Sequence, residues 1–163
     1  MQIRDWVEMM SRRGDVCTPY MRRLGAVETK EDMFRVLCDA NGGAWLFSIH
    51  AKNPLVAPVK EFMEEFKSYI NGGHVMVYPN GYASKFYCRY TGEVVADTTL
   101  VYLLECPEVQ ITVPANAYPS VVLSRGSHAE IAMMPGSRLN VELYGDAYAN
   151  ISGDMTRVRV TKH

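Results

Sequence analysis

The chain has 163 residues and a formal net charge of -1, from 17 basic and 18 acidic side chains, with 48% hydrophobic and 21% charged residues. That length suits one domain or two small ones, burying about two thirds of the unfolded surface, and the composition excludes wholesale disorder. Apolar runs are short and broken by charges, which excludes a helical membrane span, and the near balance of charge on both sides of Gly72 lacks the footprint of a nucleic-acid binder.

The N-terminus carries acids among its apolar residues and no basic flank followed by an apolar core. We therefore expect no secretory signal and synthesis in the cytoplasm. Ile3, Trp6, Val7 and Met10 follow the helical spacing of one amphipathic stripe, and Gly14 ends it. Arg4, Arg12, Arg13, Arg22 and Arg23 outnumber Asp5, Glu8 and Asp15 there, which reads as a solvated helix face. Thr18-Pro19 predicts a helix start reaching about Leu24. Thr29 with Asp32 resembles a capping box, and Met33, Val36, Leu37 and Ala40 line the helix that follows. Asn41-Gly42-Gly43 stops it.

Residues 44–50 are apolar nearly all round, predicting a buried helix or packed link, with His50 as a capping or core histidine. After the Asn53-Pro54 turn, Val59, Phe62, Met63, Phe66 and Ile70 form the clearest helical stripe, opposite Lys60, Glu61, Glu64, Glu65 and Lys67. Asn71-Gly72-Gly73 closes it. Both Gly-Gly segments follow helices, where glycine supplies a left-handed cap, and so are stops and not phosphate cradles. Residues 1–73 are thus expected to be a helical subdomain.

From His74 the period shortens. His74–Tyr78 and Phe86–Tyr90 read as strands, Thr91-Gly92-Glu93 as a turn, and the pair as a first coil in poor register. Beyond Leu100, alternating segments return every 18 to 20 residues or so, the interval of a β-solenoid turn. Val109, Ala129 and Ala149 recur, as do Ile111, Ile131 and Ile151; Val122 with Val141 and Gly126 with Gly145 are expected to occupy equivalent places. Thr156–His163 alternates charged and β-branched residues, as an edge strand does to deter pairing. The expected fold is α+β: a helical N-terminal head, then a short C-terminal β-solenoid over 74–163. A β-sandwich is the alternative, decided by whether Val122 and Val141 pair in parallel. So short a solenoid would gain from self-association, which predicts a homo-oligomer, with a trimer as one form.

Cys17, Leu37-Cys38-Asp39-Ala40-Asn41-Gly42-Gly43-Ala44-Trp45-Leu46 and the coils ending Leu139–Ala147 together resemble a group of small proteins encoded by phages and prophages of gut bacteria. In these a short helical head with a Cys and a Leu-Cys-x-x-x-Gly-x-x-Trp-like segment precedes a β-helical tail. The resemblance implies a phage origin, with synthesis in a bacterial host and a possible place in the virion, but no catalytic or binding residues.

Four cysteines, Cys17, Cys38, Cys88 and Cys106, show neither C-x-x-C nor zinc spacing, so free thiols are expected. Cys88 and Cys106, one interval apart, are expected to stack as free thiols between neighbouring coils, with a bridge in an oxidising setting as the alternative. Ser124, Ser127, His128 and Glu130 resemble catalytic types, yet on a strand His128 and Glu130 share a face and Ser127 takes the other, so a Ser-His relay fails. His128-Ala129-Glu130 matches the H-x-E of zinc deaminases but no P-C-x-x-C follows. His50, His74, His128 and His163 are scattered, and no metal or cofactor is expected. Glu61, Glu64 and Glu65 belong to an exposed helix face. Tyr78, Tyr82, Phe86, Tyr87 and Tyr90 beside Lys85 and Arg89 offer a ligand- or glycan-binding segment over 78–90. The expected function is that of a non-catalytic phage structural or accessory interaction protein, with phage or host proteins as further partners. The alternative is a glycan-binding module using residues 78–90.

Overall fold

The structure is a computed structural model and describes residues 2, 4, 5, 8, 18–37, 57–70, 74–77 and 81–163. The stripe Ile3, Trp6, Val7 and Met10, the cysteines Cys17 and Cys38, residues 44–50, the Asn53-Pro54 turn, both Asn-Gly-Gly stops and Tyr78 lie outside the described residues. Two compact units divide the chain, Met1–Tyr69 and Ile70–His163.

In the first unit, helix α1 spans Thr18–Gly25, α2 spans Lys30–Leu37 and α3 spans Ala57–Ile70. The predicted cap before α2 is formed: Asp32 N donates to Thr29 Oγ1 at 3.1 Å, and the Thr29 hydroxyl donates to Asp32 Oδ2 at 2.7 Å. The apolar face of α2 presents Met33 and Phe34, both buried, and the Phe34 ring meets Phe66 edge-on at 5.6 Å. Lys30 Nζ bonds Glu65 and holds its carboxyl below the usual range. No described helix is long and apolar enough to cross a membrane.

The second unit is a β-solenoid of about four turns. Strands β1 (His74–Val77), β2 (Ala83–Cys88), β4 (Leu100–Leu104), β6 (Ser120–Leu123), β8 (Leu139–Leu143) and β10 (Val158–Lys162) form one sheet in that order. The other sheet runs β3 (Thr91–Val95), β5 (Glu108–Val113), β7 (His128–Met133) and β9 (Tyr148–Ser152). From β2 onward every pairing is parallel and joins a strand to the one two places later, the pattern of a winding chain. That removes the β-sandwich. β1 is the exception: it pairs antiparallel with β2, so the first two strands are a hairpin and not an opening coil. Alternation alone carries no strand direction.

Register follows the apolar rows. Val109, Ala129 and Ala149 align across the four-stranded sheet, as do Ile111, Ile131 and Ile151. Opposite them stand Val101, Val121 and Val141, and Tyr87, Leu103, Leu123 and Leu143. These inward rows make one continuous core, sealed in the middle coils and half-buried at Ala149, Ile151 and Val158 in the last. Val141 therefore pairs with Val121; the expected partner Val122 lies opposite Glu142 and faces outward. The expected equivalence of Gly126 and Gly145 fails by the same single step. The corner turns close from Ser127 N to Ser124 O and from Ala147 N to Tyr144 O, so Gly126 holds the third place of its turn and Gly145 the second of the next. Both need positive φ, 77° and 66°. Thr91-Gly92-Glu93 is strand, and the chain instead turns at Arg89, whose φ is 50°. As expected, β10 is an edge strand carrying Arg159 and Lys162.

The two thiols do not stack. Cys88 pairs with Leu104 on the outward row, whereas Cys106 belongs to the core, its Sγ 3.4 Å from Leu104 O. Neither is in a disulfide, and both are buried. Burial pushes the Cys106 thiol up to about 11, against smaller opposing contributions from backbone hydrogen bonds. Its thiolate is about one part in a thousand at pH 8, so Cys106 should resist iodoacetamide in the folded protein and react only on unfolding. Peptide mass spectrometry of pulse-labelled protein checks this; labelling at the rate of an open thiol would contradict it.

Candidate functional site

The residues singled out as catalytic types do not converge. Ser127 is fully buried: its hydroxyl donates to Leu103 O at 3.2 Å and accepts from Cys106 N at 3.0 Å. Ser124, three residues earlier at the start of the same turn, also ties neighbouring coils, accepting from Glu105 N at 2.9 Å. His128 and Glu130 stand exposed on the opposite side of the chain, where His128 meets the Tyr148 ring edge-on at 6.5 Å and Glu130 accepts from Asn150 at 2.8 Å. Ser127 is thus a corner tie between coils, as strand parity predicts. Among the described residues no three His, Cys, Asp or Glu side chains gather as a metal site would.

The aromatic segment is divided by the same parity. Tyr87 turns into the core and packs on Tyr90 at 5.0 Å, while Phe86 turns outward and stacks on Tyr102 at 4.5 Å, fully buried. Burial pushes the Tyr82 and Tyr87 phenols above their usual range. Lys85 bonds Asp97 and Val95 O, and Arg89 is paired with Glu105. Among the described residues of the segment, Phe86 and Tyr87 are withdrawn from the surface, while Tyr82, Lys85, Arg89 and Tyr90 are half-exposed.

Exposed chemistry lies instead on the outward rows. The four-stranded sheet shows Glu93, Glu108 and Glu130 with Gln110, Asn150 and Thr112, and no lysine or arginine on its strands. A shallow groove of about 230 Å³ crosses it past Glu108, His128, Glu130 and Tyr148.

The six-stranded sheet carries the opposite charge on its last coils. Arg138 directly precedes β8 and Arg157 directly precedes β10, and the Leu139–Val158 pairing places the two arginines on adjacent rungs. Arg159 lies opposite Asn140. Tyr118, one turn earlier and 61% exposed, completes the row, because Arg138 N bonds Ala117 O and Asn140 N bonds Pro119 O. With Thr156 these side chains line a cleft of about 340 Å³. Arg157 is fixed at its rim, donating to Gly136 O at 3.1 Å and lying 3.5 Å from Asp154 Oδ2. Thr156 in turn donates to Asp154 Oδ1 at 2.6 Å, and these bonds hold the Asp154 carboxyl below its usual range. Arg138 and Arg159 have no ion pair among the described residues.

Sequence reasoning missed this cleft. Its signal was the spacing of Tyr118, Arg138 and Arg157, 20 and 19 residues apart, close to the interval of the core rows. Compared with protein-family models, curated proteins and solved structures, the chain matches none, so its geometry alone carries the functional argument.

Proposed function

We propose that the chain is a non-catalytic interaction protein that assembles with copies of itself through the exposed face at β9 and β10, as a structural or accessory component of a phage. The supporting observation is the exposed face that the described coils present at β9 and β10. Among the described residues β9 and β10 are the outermost strands of the two sheets on one side, and no further strand pairs with their outer backbone edges. The core ends there half-covered, with Val160 45% and Met155 54% exposed. A half-covered core flanked by two outer sheet edges is what a second copy of the same face would cover. The smallest closed assembly is a two-fold dimer, in which the same end serves both copies. Lys162, on the inward row opposite Leu143, sits at the margin of that surface and restricts which registers can form. The separation of Ser127 from His128 supports a role in binding over turnover.

Sedimentation equilibrium tests this. The protein should associate, and Val160→Glu, which sets a carboxylate in the contact at an already exposed position, should yield a folded monomer with an unchanged circular dichroism spectrum. A wild-type monomer at every concentration would defeat the self-association. The phage setting is tested separately, by seeking the chain in purified particles of its host's phage.

A further inference from the structure

We infer that the arginine cleft is a binding site for an acidic saccharide, a sugar ring bearing one carboxylate. The cleft faces outward from the last two coils, whereas Val160 points along the inward row, so the inference does not rest on self-association. Four of the cations of this unit, Lys85, Arg89, Arg125 and Arg157, have carboxylate partners. Arg138 and Arg159 have none among the described residues, and they converge. One rung and two residues separate them, which places their Cα atoms about 8 Å apart, within reach of a single carboxylate from both sides. Guanidinium groups are suited to this, because their planar fork matches a carboxylate with two parallel hydrogen bonds.

Charge alone would fit any small anion; the remaining lining narrows the class. Tyr118 is 61% exposed and offers a flat apolar ring with a hydroxyl at its tip. Asn140 and Thr156 add polar groups of the kind that meet hydroxyls. A ring with one charged and several hydroxyl substituents uses all of these, and a free inorganic anion uses only the arginines. A polyphosphate chain is disfavoured: Glu142 and Asp154 bound the patch, and the chain's net charge is -1, so the positive field is local.

Titration by calorimetry and by amide chemical shifts, with glucuronate, acetate, phosphate and glucose as probes, tests the inference on wild type and on the Val160→Glu variant. Glucuronate should bind both, at least about tenfold more tightly than acetate, phosphate or glucose. Arg138→Ala with Arg159→Ala should abolish that binding, and Tyr118→Phe should keep most of it. Tyr118→Ala should weaken glucuronate about tenfold without altering any weak acetate binding. Because these side chains are exposed or half-exposed, melting temperatures should stay near wild type and certify that each variant is folded. The inference is overturned if glucuronate does not bind, if it binds the double arginine variant equally well, or if acetate or phosphate matches it.

Discussion

Leu103→Ala should lower the unfolding free energy of the solenoid by about 4 kcal/mol, near the top of the range for a buried leucine cut back to alanine. Leu103 is fully buried on β4, in the inward row between Tyr87 and Leu123, and faces the apolar rows of the opposite sheet. Two features place it high in that range. Its neighbours along the row are held at a rung spacing of about 4.8 Å by backbone ladders on both sides, so they cannot slide in to fill the void. It also sits in a middle coil, where stability is transmitted between nearest neighbours and a weakened rung loosens both sides. Ile151→Ala is the control. Ile151 occupies the last coil, is half-buried and lines no sealed cavity, so its loss should be about 1 kcal/mol. Urea unfolding of both variants reads the difference directly. Similar losses at the two positions would mean that the core does not graduate from a sealed middle to an open end.

The same gradient explains how much of the fold was legible beforehand. Ile111, Ile131 and Ile151 recur at a fixed interval because each inward place must match the one above it, and packing enforces that match on the sequence. Thr29 and Asp32 were legible because a cap is local. Register in the other sheet was not. Val121 and Val122 are identical in type but lie on opposite faces, and only the corner preceding β6 decides which of them turns inward. Corners leave a signal in the sequence where glycine supplies a positive φ, as at Gly126, and none where Arg89 or Glu105 adopts it. Gly92, which looked like a turn residue, is in strand β3 because its pairing with Val109 overrides its local preference. The arginine cleft was least accessible. Tyr118, Arg138 and Arg157 leave no hydrophobic periodicity, and their adjacency exists only once the coil spacing is known.

A second large loss is expected at Ser127, and it separates structure from catalysis at the most enzyme-like stretch of the chain. Ser127→Ala removes the hydroxyl that serves Leu103 O and Cys106 N; Leu103 O keeps its bond from Ser124 N at 2.9 Å, whereas the buried Cys106 amide loses the acceptor that Ser127 gave it. One unsatisfied buried polar group costs about 1–3 kcal/mol, so the variant should lose about 2 kcal/mol. Ser127→Val should do no better, since its added methyl groups meet the same fully buried corner and supply no donor or acceptor. His128→Ala, one residue on, removes an exposed ring with a single edge contact to Tyr148 and should change stability by less than about 0.5 kcal/mol. A Ser-His pair acting on a substrate would show the reverse pattern, with both substitutions sparing the fold and abolishing turnover. Paired measurement of unfolding free energy for the three variants decides between them. A Ser127→Ala protein as stable as wild type would show that the corner tie contributes little and would reopen the hydroxyl to a chemical role.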